Sequence, residues 1–124
     1  MNWEVEELTM RLMLTISVLA ALSAGPVFAD CVVPDNTVQI PDGNSATREE
    51  MVAAQKAVVA YDTAVKAYTD CLQQEQQQKI DAGADKAKIQ KQYAELNNIQ
   101  VEKVQQLADK FNAELKAYKA KSAG

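Results

Sequence analysis

From Met51 onward the apolar side chains fall in alternating strides of three and four: Met51, Ala54, Val58, Tyr61, Val65, Tyr68 and Leu72. Such strides draw a single stripe along a helix that packs against a second helix. Thr47 with Glu50 has the spacing of a capping box, and Ala46 stands where it can staple onto Met51. No Gly or Pro lies between Arg48 and Ala82, so the pattern predicts a helix over 48–82. Past Leu72 the seam turns polar in "QQEQQQK", which puts Glu75 and Lys79 at core places. Gly83 then breaks the helix and Asp85 caps a second one, over 85–120. Its stripe reads Ile89, Tyr93, Leu96, Val104, Leu107, Phe111, Leu115 and Tyr118, interrupted by Gln100 between Ile99 and Val101.

Two apolar-striped helices of about 35 residues joined at a glycine turn read as an αα-hairpin. Folding at Gly83 places Val65 near Val101, Val58 near Leu107 and Met51 near Leu115, with a polar, weakly packed tip. Residues 30–46, "DCVVPDNTVQIPDGNSA", differ in character. Pro34, Pro41 and the turn-like "PDGN" favour an extended arm. The expected class is all-α: a long antiparallel, coiled-coil-like helical hairpin (47–124) preceded by this arm.

Residues 1–29 read as a targeting signal. Met10 and Arg11 begin a positive n-region, "LMLTISVLAALSAG" is the apolar core, and "PVFA" offers a small-residue cleavage site after Ala29. "MNWEVEELT" carries Glu4, Glu6 and Glu7 and no base, which places the expected translation start at Met10. The apolar run of about 14 residues is shorter than a membrane span. Asp30 precedes Cys31 where a lipoprotein needs a small residue, which argues against a lipid on that cysteine. The mature protein is expected in the periplasm or secreted, without stable membrane insertion.

That location gives the two cysteines a meaning. In an oxidising compartment an even count predicts one intramolecular bridge, Cys31–Cys71. Closing a loop of about 40 residues stabilises by roughly 4 kcal/mol on the chain-entropy account. The arm can then start beside Cys71, run back along the hairpin and turn at "PDGN" into the capping box. Val32, Val33, Val38 and Ile40 are expected to cover the groove between the helices.

Composition narrows the chemistry. The chain has no histidine, which removes Ser-His and Cys-His nucleophiles and His-ligated metals. Carboxylate pairs such as Glu49–Glu50 and Asp81–Asp85 sit among Lys and Gln on predicted solvated faces, where no dry pocket raises a general acid's pKa. "DAGAD" lacks the ligand count of a calcium loop. The expectation is no catalytic site, no cofactor and no metal. Of 17 acids three precede residue 30, and of 13 bases one does, leaving 14 against 12. This near balance has no basic footprint for nucleic acid.

The run "C-x-x-P … I-P-D-G-x-x-A-T-x-x-E-M-x-x-A-Q … Y-x-x-C-L", from Cys31 to Leu72, resembles small exported proteins of Gram-negative bacteria that have no assigned activity. The resemblance implies a periplasmic location and covers about half of the mature chain. The long helical pair also loosely resembles tentacle-shaped periplasmic chaperones, without their basic charge or trimerisation sheet. The Leu-Thr-x-x-Gln repeat of cradle-shaped stress chaperones is missing.

Tyr61, Tyr68, Tyr93 and Tyr118 admit two readings: core packing at helical spacing, favoured here, or an aromatic stripe facing a partner. The Gln run at 73–78 reads as a solvated helix face, with a polar oligomer seam as its alternative. Lys116, Lys119 and Lys121 read as dipole complement and solubility, with contact to anionic lipid or cell wall as the alternative. The leading function is a non-enzymatic interaction module of the cell envelope, acting on an envelope protein or on itself. The alternative is a holdase-like periplasmic chaperone, which needs exposed apolar surface. A hydrolase or redox enzyme is disfavoured by the missing histidine and the bridged cysteines.

Overall fold

The computed structural model describes residues 30–124, so the expected signal segment and the start at Met10 lie outside the described residues. Two helices follow an irregular arm: α1 is Arg48–Asp81 and α2 is Lys86–Ala123. They pack antiparallel as a hairpin, and the described residues contain no β-strand. At 34 and 38 residues they make a rod of roughly 50–57 Å.

Both helix starts follow the local code. The Thr47 hydroxyl accepts from the Glu50 amide at 3.2 Å, and a Glu50 carboxylate oxygen accepts from the Thr47 amide at 2.7 Å. That closes the capping box and satisfies two orphan donors reciprocally. Asp85 caps α2 through the Lys88 amide at 2.8 Å. α1 ends at Gly83, whose φ of 95° suits a residue without Cβ. The Gly83 amide donates to the Ile80 carbonyl and the Ala84 amide to the Lys79 carbonyl, both at 3.0 Å. These are the two bonds of a Schellman ending.

The core is a stack of three layers. At the open end Ala46, Met51, Ala54 and Phe111 pack together, with Leu115 and Tyr118 against them. In the middle Tyr61, Val65 and Leu107 meet Val58 and Val104. Nearest the tip Tyr68, Leu72 and Tyr93 pack with Ile89 and Leu96. The arm reaches every layer: Ile40 the first two, Val38 the second and Cys31 the third. A two-helix seam is open along both flanks, and this strip closes one of them.

The expected pairings of Met51 with Leu115 and of Val58 with Leu107 fall within single layers. That of Val65 with Val101 does not hold. On α2 the inward stripe runs 93, 96, 100, 104, 107, 111, so Gln100 faces in at 4% exposure while Val101 and Ile99 stay about half exposed. Residues one place either side of an inward position lie about 100° away on a helix. The arm also departs from expectation, because Val32 is 83% exposed and Val33 49%. Cys31 is held inward by its bond, and successive side chains of an extended chain point to opposite sides, which turns Val32 outward; this alternation does not account for Val33. Val38 and Ile40 alone of the four cover the seam.

Gln100 separates the middle layer from the tip layer, and its Oε1 is buried without a hydrogen-bond partner. An unmet buried acceptor costs about 1–3 kcal/mol. Gln100→Leu is therefore expected to stabilise the hairpin by about 1–2 kcal/mol in urea unfolding, joining two apolar layers. A lower midpoint in that variant would mean the amide is satisfied by groups inside the seam.

Candidate functional site

Cys31 and Cys71 are bonded, with Cα atoms 5.7 Å apart and a sequence separation of 40, and neither thiol is free. From this bridge the arm runs back towards the open end. The α1 positions from Cys71 to Met51 cover about 30 Å, and residues 31–43 span the same stretch, far more per residue than a helix would. The turn after it is tight: the Ser45 and Ala46 amides both donate to the Asp42 carbonyl. It is pinned on α2 by the Gly43 amide, which donates to Glu114 Oε2 at 2.8 Å, and by Lys121 Nζ, which donates to the Ala46 carbonyl at 3.1 Å. Lys121 also sits 5.8 Å over the Tyr118 ring.

Between the arm and the outer flank of α1 lies an open groove of about 960 Å³. Its helix wall is Ala53, Ala57, Ala60 and Ala64, and its other wall is the arm from Pro34 to Pro41. Its charged lining residues are Asp35 and Glu50. Glu50 is held below the usual carboxylate range, first by the Thr47 amide and then by the Thr47 hydroxyl, so this end of the groove is anionic at neutral pH. Tyr61 also lines the groove. It is 4% exposed, and its hydroxyl is buried with no hydrogen-bond partner. Burial pushes its pKa up, keeping the phenol neutral.

The four tyrosines do not form an outward stripe. Tyr61, Tyr68 and Tyr93 are buried in the seam, and Tyr118 is half-buried at the open end. The partner-facing reading is corrected for the three buried rings: their positions on the inward stripe turn them towards the opposite helix.

Near the tip, polar groups take over the seam. Tyr93 donates its hydroxyl to Glu75 Oε1 at 2.7 Å, Lys79 pairs with the same carboxylate at 2.8 Å, and the ammonium lies 5.3 Å over the Tyr93 ring. Lys79 and then Tyr93 hold Glu75 below its ordinary pKa, while burial holds Tyr93 above its own. A depressed carboxylate contributes stability at neutral pH that is lost as pH falls through its folded-state pKa. A raised phenol contributes stability that is lost in alkali. Tyr93→Phe is expected to lower stability by about 1.5 kcal/mol at pH 7. Glu75→Gln should flatten the acid limb of the stability curve; an unaltered acid limb would show that Glu75 does not carry it.

The Gln run is mostly solvated, with Gln77 donating to Asp81 Oδ1 at 2.7 Å. Gln73 and Gln76, with Gln90 and Asn97, rim a hollow of about 310 Å³ whose lining also includes Leu72, Tyr93 and Ala94. Among the described residues no group of three or more Cys, Asp or Glu is placed to hold a metal ion. Nor is any described helix long and apolar enough to cross a membrane.

The alanine wall escaped the sequence reading, although its signal was present. Ala53, Ala57, Ala60, Ala64 and Ala67 repeat the strides of the seam on its flank and lead to Cys71. The chain matches no known protein family, no curated protein and no solved structure.

Proposed function

We propose that this protein is a non-enzymatic interaction module of the cell envelope, exported through cleavage after Ala29 and acting by binding another protein along α1. The observation that carries the reading is the groove: a long apolar trough whose arm wall is held in place by a covalent bridge at one end and the Gly43–Glu114 clamp at the other. A site fixed at both ends loses little conformational freedom on binding. The disulfide supports an oxidising compartment, and the resemblance of the segment 31–72 to exported Gram-negative proteins points the same way.

The test is a photo-crosslinking residue placed at Ala60, inside the groove, or at Val59, on the flank turned away from the arm. A discrete crosslinked envelope protein from the first position and not the second supports the reading. Equal or no crosslinking from both refutes it. The holdase alternative draws on the exposed Val59, Ile99 and Val101. Ile99 and Val101 flank Gln100 on opposite sides of α2, so these two do not merge into one apolar patch, and Val52 and Val59 add only two exposed side chains on α1. Suppressed aggregation of a reduced, unfolding client protein would favour that alternative.

A further inference from the structure

We propose that the groove takes an extended, positively charged segment of a partner protein, added as a β-strand along arm residues 35–40. This rests on the interaction reading above and names the form and charge of the partner. No backbone amide or carbonyl of residues 31–41 is hydrogen-bonded to any other described residue. Pro34 and Pro41 lack an N–H and bracket a window, Asp35 to Ile40, in which every residue has a free donor and acceptor. Asp35, Thr37, Val38, Gln39 and Ile40 all line the groove. An extended chain with an unpaired edge is the template for strand addition, in which backbone bonds give affinity and alternate side chains give specificity.

The groove is shaped for such an occupant. Between Glu50 at one end and Tyr61 its helix wall is mostly alanine, so a second backbone can lie close beside the arm. A helical occupant would leave the arm's donors and acceptors unmet, because its own amides are already paired. Charge sets the rest. The arm carries Asp30, Asp35 and Asp42 and no base, and α1 has six acids against four bases, whereas α2 has eight lysines against four acids. The groove therefore lies on the acidic side of the hairpin and favours a cationic strand.

The probe is a capped octapeptide of alternating Val and Lys, read by fluorescence anisotropy and by amide hydrogen exchange of the oxidised protein. Binding at least tenfold tighter than a Val/Glu counterpart is expected, with exchange slowed at alternate amides between 35 and 40. N-methylation of every second peptide amide should weaken binding at least tenfold on the pairing edge. Ala60→Leu, which fills the groove from an exposed position, should do the same, and Val59→Leu should not. Absent binding, binding without protection of the arm amides, or indifference to N-methylation each overturns strand addition. If Ala60 still crosslinks to an envelope protein in that case, the interaction reading survives alone. A concentration-dependent dimer that protects the same amides without peptide would make a second copy the occupant and overturn the cationic partner.

Discussion

The Cys31→Ser/Cys71→Ser variant is expected to lose about 4 kcal/mol of stability, from the entropy released when a loop of 40 residues is opened in the unfolded chain. Small domains hold about 5–15 kcal/mol in total, so this is a large share. The loss does not fall evenly. Cys31 packs on the tip layer with Tyr68, Leu72 and Tyr93, while the arm's other holds, at Gly43 and Ala46, lie at the opposite end. Between those ends residues 31–41 make no backbone hydrogen bond within the described chain, so the bridge alone secures the near end. The variant should keep most of its helical signal below its midpoint, since both helices are capped locally. Its arm should be cleaved by protease before either helix, and it should lose octapeptide binding with the groove wall. Urea unfolding and timed proteolysis read both effects. An unchanged midpoint together with an intact 31–41 segment would show that side-chain packing, not the bridge, holds the arm.

The hairpin was legible because its signals are local and repeat. Thr47 with Glu50 announces a helix start without any tertiary partner. The Met51-to-Leu72 strides announce one buried stripe, and Gly83 followed by Asp85 announces an end and a new start. Each lies on a single element, so its meaning does not depend on where the rest of the chain goes. The cysteine pairing was legible for a different reason, since two cysteines leave one intramolecular choice.

The candidate site was harder to read, because it lies where elements meet. Ala60 looks like an ordinary helix former until the arm is placed beside it. Val32 and Val38 are chemically alike, yet Val32 is exposed and Val38 packs on the middle layer, a difference that exists only once the arm is laid on the hairpin. Tyr93 and Glu75 are 18 residues apart, and their bond becomes visible once the register across the seam is known. Glu75 and Lys79 fall at seam positions by their strides but are only half-buried, and their pairing with Tyr93 on α2 has no signal in the sequence. Gln100 interrupts the apolar stripe in sequence, but in the structure it is a member of the inward face that happens to be polar.

Gly43→Ala is the second substitution expected to act strongly, by about 3 kcal/mol, and for a reason composition does not reveal. Gly43 is buried and does not have a positive φ, in contrast to Gly83. Its small size is what matters. A Cβ there would overlap the Glu114 carbonyl oxygen and lie 2.9 Å from both the Glu114 carbonyl carbon and the Tyr118 amide nitrogen. Those atoms belong to the α2 backbone, whose hydrogen-bonded ladder cannot yield as a flexible side chain would. The turn must therefore lift away from α2. Lifting it stretches the Gly43–Glu114 and Lys121–Ala46 bonds and withdraws Ala46 and Ile40 from the open-end layer. Two further variants separate these contributions. Glu114→Gln keeps an acceptor and leaves the close approach intact, so it should cost under about 1 kcal/mol. Gly83→Ala meets nothing within 4 Å and should cost about 1–2 kcal/mol from its left-handed backbone alone. Equilibrium urea unfolding of the three variants gives the ranking. A Gly43→Ala loss no larger than that of Glu114→Gln would mean the turn does not rest on the helix backbone, and the groove would lose its fixed open end.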